Sequence, residues 1–382
     1  MCIIIMIIIG GKMNYLDDLQ KIIEINSYTK NKKGVDAVGL IFDTWLSDLG
    51  YTINIHERSL IGNHRHYTSK CNKGKKLLLL GHLDTVFPPN KFENYTEDSE
   101  WIYGPGVCDM KGGNIVAIEA LRNLKREGVL IQNIDILFVS DEESGSDDSK
   151  LLSAKLAKEY DYCLVFEAAG PNGEVVIARK GVGTFTIDIE GVAKHAGNHY
   201  ADGIDANLEA SYKLQKLVAL TNLEKGTTVN VGKLEGGIGA NTISPHAHLL
   251  FELRYTDIKE KERVLNEIDT IVQTSYVKGT KSRLGGGIQR DVMQKSDDTL
   301  EFIHDIEKIS GEKLLTESRG GVSDANILSA NGVITLDGFG PFGDGDHTVE
   351  ERANKKSFDE RIKLTTELLK YFTINLDFKG VK

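Results

Sequence analysis

The sequence has no C-x-x-C pair, and its four cysteines, Cys2, Cys71, Cys108 and Cys163, follow no framework spacing. That argues against a disulfide scaffold and a cysteine-type zinc module, and it reads as reduced thiols in a cytoplasmic setting. Basic charge is also short. Lys and Arg number 46 against 56 Asp and Glu, a formal charge of −10, which argues against nucleic acid or an anionic membrane as a partner. No apolar run can span a bilayer. The leading MCIIIMIIIG is too short and lacks the basic flank of a signal peptide. Residues 1–12 therefore read as an apolar appendage. Proline is scarce, at six residues against 39 glycines, so turns rest mainly on glycine.

What is present is a globular composition, 40% apolar and 27% charged over 382 residues, enough for two domains or one with a large insertion. From Met13 to about Tyr51 the pattern is helical. Short apolar strands follow, in TINIHER, LLLL, NIDILFVS and DYCLVFE. Helices from about Gly113 to Glu127 and Ser149 to Glu159 separate them, which predicts an α/β fold with a mainly parallel sheet and helices on both faces. Near Arg179 the pattern changes. GVGTFTIDIEGVA alternates as a half-exposed strand, and the segments that follow spell a β-α-β-β-α-β unit ending around Lys281–Ile288. The expected organisation is an α/β domain from residues 13–178 and 291–382, with an α+β domain, 179–290, inserted.

The chemistry sits where apolar runs end. In LLLLGHLDTVFP, alternation puts His82 and Asp84 on one face at the carboxyl end of a core strand, where open α/β sheets place their sites. YGPGVCDMKGG presents Asp109 between glycines that suggest close backbone approach. ILFVSDEESGS ends a strand in Asp141, Glu142 and Glu143, LVFEAAG ends one in Glu167, and GFGPFGDGDHTVEE carries His347 in a glycine-rich loop. Singly, these read as a surface imidazole, a helix cap and solvated loop acids. Together, His82, Asp109, Glu143, Glu167 and His347 make a nitrogen and oxygen ligand set that suits two zinc, cobalt or manganese ions about 3.5–4 Å apart. Glu142, not needed as a ligand, is the natural general base. Cys108 reads as a small buried hydrophobe.

In order and spacing these motifs resemble the co-catalytic dizinc metallopeptidases, a family that includes glutamate carboxypeptidase, aminoacylases, and acetylornithine and succinyl-diaminopimelate deacylases. The resemblance implies that His82, Asp109 and Glu167 hold one zinc and Asp109, Glu143 and His347 the other, with Asp109 bridging and its following peptide bond cis. It implies that Asp84 orients His82 and that Glu142 shuttles the proton. The insert resembles the family's dimerisation or lid domain, so a homodimer is expected. His195 would reach the neighbouring subunit's site to stabilise the oxyanion, and His199 would be surface. Asn241 and Arg254 would bind the substrate carboxylate, and Arg319, in ESRGGVSDAN with Gly320, Gly321 and Asp324, could pair with one too. Glu167, rather than Asp, goes with carboxypeptidases and deacylases in this family. The texture is nearest the glutamate carboxypeptidase branch, from which Met110 departs. The expected activity is zinc-dependent amide hydrolysis releasing a C-terminal amino acid, with glutamate a candidate, from a short peptide or N-acyl amino acid. An N-acyl amino acid deacylase is the alternative enzyme, and an inactive binding protein on the same fold is the alternative of another class.

Overall fold

The computed structural model describes residues 15–378, so the apolar appendage expected at 1–12 lies outside the described residues. The leucine run forms the strand Leu77–His82, paired in parallel with Ile134–Val139 on one side and Tyr162–Val165 on the other. Ile334–Leu336 continues the parallel sheet, while His64–Thr68 and Thr52–His56 extend the opposite edge in antiparallel fashion.

Period-two alternation explains why this strand is central. Leu77 and Leu79 face a core shared with helices Tyr15–Ile23, Lys32–Asp48, Lys111–Arg126, Asp297–Ser310 and Lys355–Ile374. Leu78 and Leu80 face a second core on the opposite side, under helices Ser149–Ala157 and Ala325–Ala330. All four leucines are fully buried, each worth about 1.5–3 kcal/mol of apolar transfer as an upper estimate.

The insert has its own core, around Phe185, Ile187, Leu249, Phe251 and Ile268. Its antiparallel sheet runs Thr228–Gly236, His246–Tyr255, Gly181–Glu190, Lys281–Arg290. Helices Ala206–Val218 and Ile258–Gln273 complete the anticipated β-α-β-β-α-β order, their first turns capped by Asp205 and Asp257.

Two strands escape the sequence pattern. His64–Thr68 is polar in sequence yet buried, because Arg65 pairs with Asp43 at 3.2 Å and His66 meets the Tyr160 hydroxyl at 2.7 Å. Val175–Arg179 pairs in parallel with Thr316–Arg319 in a separate two-stranded sheet. A further small sheet joins Trp101–Tyr103 to Arg352–Asn354, bringing the turn before Asp109 beside the loop that carries His347. None of the described helices is long and apolar enough to cross a membrane.

Candidate metal centre

Three parallel strands end at the same edge and deliver the site. Leu77–His82 ends in His82, Ile134–Val139 runs on into the single turn Glu142–Ser144, and Tyr162–Val165 is followed two residues later by Glu167. Asp109 arrives from the turn before helix Lys111–Arg126, through a cis peptide bond to Met110. The helix starts two residues before the sequence pattern suggests, and its glycines show why. A Cβ on Gly112 would lie 2.0 Å from the Val107 carbonyl oxygen and one on Gly113 1.8 Å from that of Phe166. The close approach that the glycines imply is thus to the protein's own backbone, next to Glu167.

Asp109 is the centre of the cluster. Its Oδ1 lies 3.1 Å from His82 Nε2, which also faces Glu167 Oε1 at 3.8 Å. Its Oδ2 lies 3.2 Å from His347 Nε2, which in turn meets Glu143 Oε2 at 3.1 Å. The donors fall into two groups that share only Asp109. Bonds of about 2.0–2.1 Å in tetrahedral geometry put neighbouring donors about 3.3 Å apart, close to the approaches of 3.1–3.2 Å around Asp109 and His347. Among the described residues the trio whose donor atoms all lie within 4.8 Å of one another is His82, Asp109 and Glu143, which draws on both groups.

The electrostatics point the same way. Burial pushes Glu143 up to about 8 and Glu142 to about 7, and burial with the Asp109 charge raises Glu167 well above the carboxylate range. Burial works against ionisation of Asp109 too, but hydrogen bonds from His347 and His82 hold it low. Hydrogen bonds to Asp109 and Glu143 lift His347 to about 11, and in His82 the carboxylates outweigh burial. So many buried acids around two imidazoles make a pocket whose negative charge bound cations would neutralise.

Orientation comes from the next layer. His82 Nδ1–H donates to the Asp84 backbone carbonyl at 3.0 Å, turning Nε2 into the cluster, while the Asp84 carboxylate stands 3.5 Å away. The nearer acceptor is thus main chain, not the side chain that the sequence suggested. Asp84 Oδ2 instead accepts from Thr29 Oγ1 at 2.7 Å and from the Glu143 N–H at 3.3 Å, tying the two strand ends together.

Glu142 makes no hydrogen bond to an imidazole among the described residues and has a partner that the sequence does not reveal. Arg290, at the end of the last strand of the insert and 5% exposed, donates from Nη1 to Glu142 Oε1 at 2.7 Å and from Nη2 to the Glu142 carbonyl at 3.2 Å. Arg290 also contacts Ser146 Oγ and Asp324. A lone arginine after a glycine-rich strand carries no local signal of this pairing.

The remaining expected residues lie outside the donor cluster. His195 and Asn241 are exposed neighbours on the insert, joined by the Ala196 N–H to the Asn241 carbonyl at 2.9 Å. Arg254 binds Glu252 at 2.7 Å and the Gly320 carbonyl at 2.8 Å, spanning from the insert to the 319–321 segment. Arg319 binds Glu317 and the carbonyl of Ala168, beside Glu167. His199 is exposed beside Asp202, as expected. Cys108 is buried as expected, but its thiol also donates to Asp346 Oδ1 at 2.8 Å.

Buried carboxylates around the buried His82 and the exposed His347, at the carboxyl edge of a parallel sheet with an antiparallel insert beside them, define a metal-dependent hydrolase. The chain belongs to peptidase family M20/M25/M40, whose profile matches residues 78–371. It is 27% identical over 366 residues to carboxypeptidase G2 of Pseudomonas sp., covering 92% of this chain and 87% of that one. To the succinyl-diaminopimelate desuccinylase of Sulfurovum sp. it is 23% identical over 392 residues, covering 94% and 100%. The fold matches that of a tripeptidase from Staphylococcus aureus with a TM-score of 0.80 at 22% identity, over 96% of this chain and 99% of the other.

Proposed function

We propose that this M20-family hydrolase is a two-zinc exopeptidase that releases a C-terminal amino acid, with glutamate the first candidate, from a short peptide or N-acyl amino acid. One observation carries the reading: Asp109 turns one oxygen to His82 and the other to His347, each imidazole flanked by its own glutamate. His82, Asp109 and Glu167 would hold one ion, and Asp109, Glu143 and His347 the other. Cobalt or manganese would suit the same donors.

Bound divalent ions supply a water that ionises near neutral pH and polarise the scissile carbonyl. The protein's own groups do the rest. Asp84 and its backbone carbonyl keep His82 Nε2 aimed at the cluster. Glu142 takes the proton from the attacking water and passes it to the leaving nitrogen, and burial to about 7 suits it to both halves of that transfer. Arg290 holds the Glu142 carboxylate by one oxygen. Asn241, Arg254 and Arg319 are assigned to the substrate carboxylate. In a homodimer, His195 reaches the neighbouring site to stabilise the oxyanion, and its exposure leaves it available for that. The free thiols Cys71, Cys108 and Cys163 favour a cytoplasmic enzyme.

The likeness to carboxypeptidase G2 favours carboxypeptidase action, and the likeness to a desuccinylase supports N-acyl amino acid deacylation on the same machinery as the second reading. The test is hydrolysis by the zinc-loaded protein of dipeptides ending in glutamate against acetylornithine and succinyl-diaminopimelate. Release of glutamate, abolished in Glu142→Ala, is expected. Turnover of the acylated diamino acids alone would select the deacylase, and no turnover of either class with metal bound would leave an inactive binding protein.

A further inference from the structure

We propose that Glu351 is a positioning residue that locks the Asp109 turn to the His347 loop and so sets how tightly the second ion is held. The inference rests on the two-metal reading above. Glu351 lies four residues after His347 and is 1% exposed. Its carboxylate accepts three backbone N–H groups of the turn that presents Asp109. Oε2 takes Gly106 N–H at 2.9 Å, and Oε1 takes Cys108 N–H at 3.1 Å and Asp109 N–H at 3.2 Å. Clustered main-chain donors of this kind form a concavity that suits one anion, and here the anion is a side chain from about 240 residues away. Among the described residues Glu351 enters no ion pair, so its carboxylate is committed to that turn.

The contact is the innermost of a series of ties between the two segments. Arg352–Asn354 pairs with Trp101–Tyr103, the Gly104 N–H reaches the Glu351 carbonyl at 3.3 Å, and the Cys108 thiol reaches Asp346 Oδ1 at 2.8 Å. The series ends at the Asp109–His347 approach of 3.2 Å, the spacing that the second ion needs. His82 and Glu167 are fixed independently, by adjoining parallel strands. Loosening the turn from the loop therefore shifts both Asp109 and His347 in the Asp109, Glu143, His347 set, but Asp109 alone in the other, which is disturbed less.

Glu351→Gln keeps the shape and changes the chemistry. A glutamine offers one acceptor oxygen, and its NH2 must face at least one backbone N–H. Cobalt(II) titration of the metal-free full-length protein, followed by visible absorption and calorimetry, reads both binding steps. In Glu351→Gln one step is expected to weaken about 10–100-fold with an altered visible band, while the other, which keeps His82 and Glu167 in place, weakens by less. Asp346→Ala, at an exposed residue, removes only the outer tie and is expected to weaken the same step by about threefold or more, which keeps the proposal testable should Glu351→Gln misfold. Leu249→Ala, a destabilising change in the core of the insert, is expected to leave both steps alone. Wild-type affinities and spectrum in Glu351→Gln would overturn the proposal, as would equal weakening in Leu249→Ala. If the wild-type protein takes up no cobalt, the two-metal reading itself fails, a result distinct from both.

Discussion

Replacing Asp84 by asparagine separates orientation of the site from stability of the fold. The Asp84 side chain is fully buried. Oδ2 accepts from Thr29 Oγ1 at 2.7 Å and the Glu143 N–H at 3.3 Å, and Oδ1 faces His82 Nδ1 at 3.5 Å. An asparagine cannot satisfy both sides. With its oxygen toward Thr29 and Glu143, its NH2 meets the His82 Nδ1–H; flipped, it meets the Glu143 N–H. Either way one donor confronts another beside a ligand in each metal group, and such partners of metal ligands are worth about 10–100-fold in affinity, or about 1.4–2.7 kcal/mol. The fold loses less, because the substitution also removes a buried carboxylate that has no Lys or Arg partner among the described residues. The assay is chelator competition for zinc, alongside thermal unfolding of the metal-free protein. Affinity is expected to fall by that factor while Tm moves by less than about 2.5 °C, the shift that about 2 kcal/mol gives in a chain of this size. Wild-type affinity in Asp84→Asn, or a loss of affinity matched by a collapse of Tm, would refute the reasoning.

Glu142→Gln is expected to retain both metals, since Glu142 binds Arg290 and not the imidazoles, and to lose about 10²–10⁴-fold in kcat, read from initial rates with metal content measured in parallel. Leu79→Ala, at a fully buried position of the central strand, is expected to cost about 2–5 kcal/mol by denaturant unfolding, with the cavity beneath helix Lys111–Arg126. In the insert, hydrogen bonds from Arg263, with those from Lys225 and Thr227, lower Glu260 from 4.5 to about 2. A depressed folded-state carboxylate stabilises fully above the unfolded value and progressively less as pH falls through the folded one. The stability gap between wild type and Glu260→Gln should therefore be full at pH 6 and close between about pH 4.5 and 2, as denaturant midpoints across that range will show.

The parts legible in the sequence are those that a local period or a strand end announces. The four leucines ending in His82, and the apolar runs ending at Asp141 and Glu167, fix the carboxyl edge of the sheet, because a parallel strand buried on both faces is nearly continuously apolar and a polar cluster follows where it ends. The β-α-β-β-α-β order of the insert was equally plain from alternation and helical stripes. His64–Thr68 was not legible, because burial there is achieved by pairing Arg65 with Asp43 and His66 with Tyr160, which hydrophobicity does not register. Arg290 and Glu351 were hidden for a related reason. Each acts on residues more than 100 positions away, and the sequence around each differs little from that of a surface charge. At Asp84 the nearer acceptor for the His82 ring is the main-chain carbonyl, a group every residue carries and no sequence pattern marks.

The central claim is that Asp109 joins two metal groups into one site, and metal content per chain after equilibrium dialysis against zinc tests it most directly. The account predicts two zinc ions per chain in the wild-type protein, one in His347→Ala, and fewer than one in Asp109→Asn, since only Asp109 serves both groups. A single ion in the wild type, or two retained in Asp109→Asn, would contradict it.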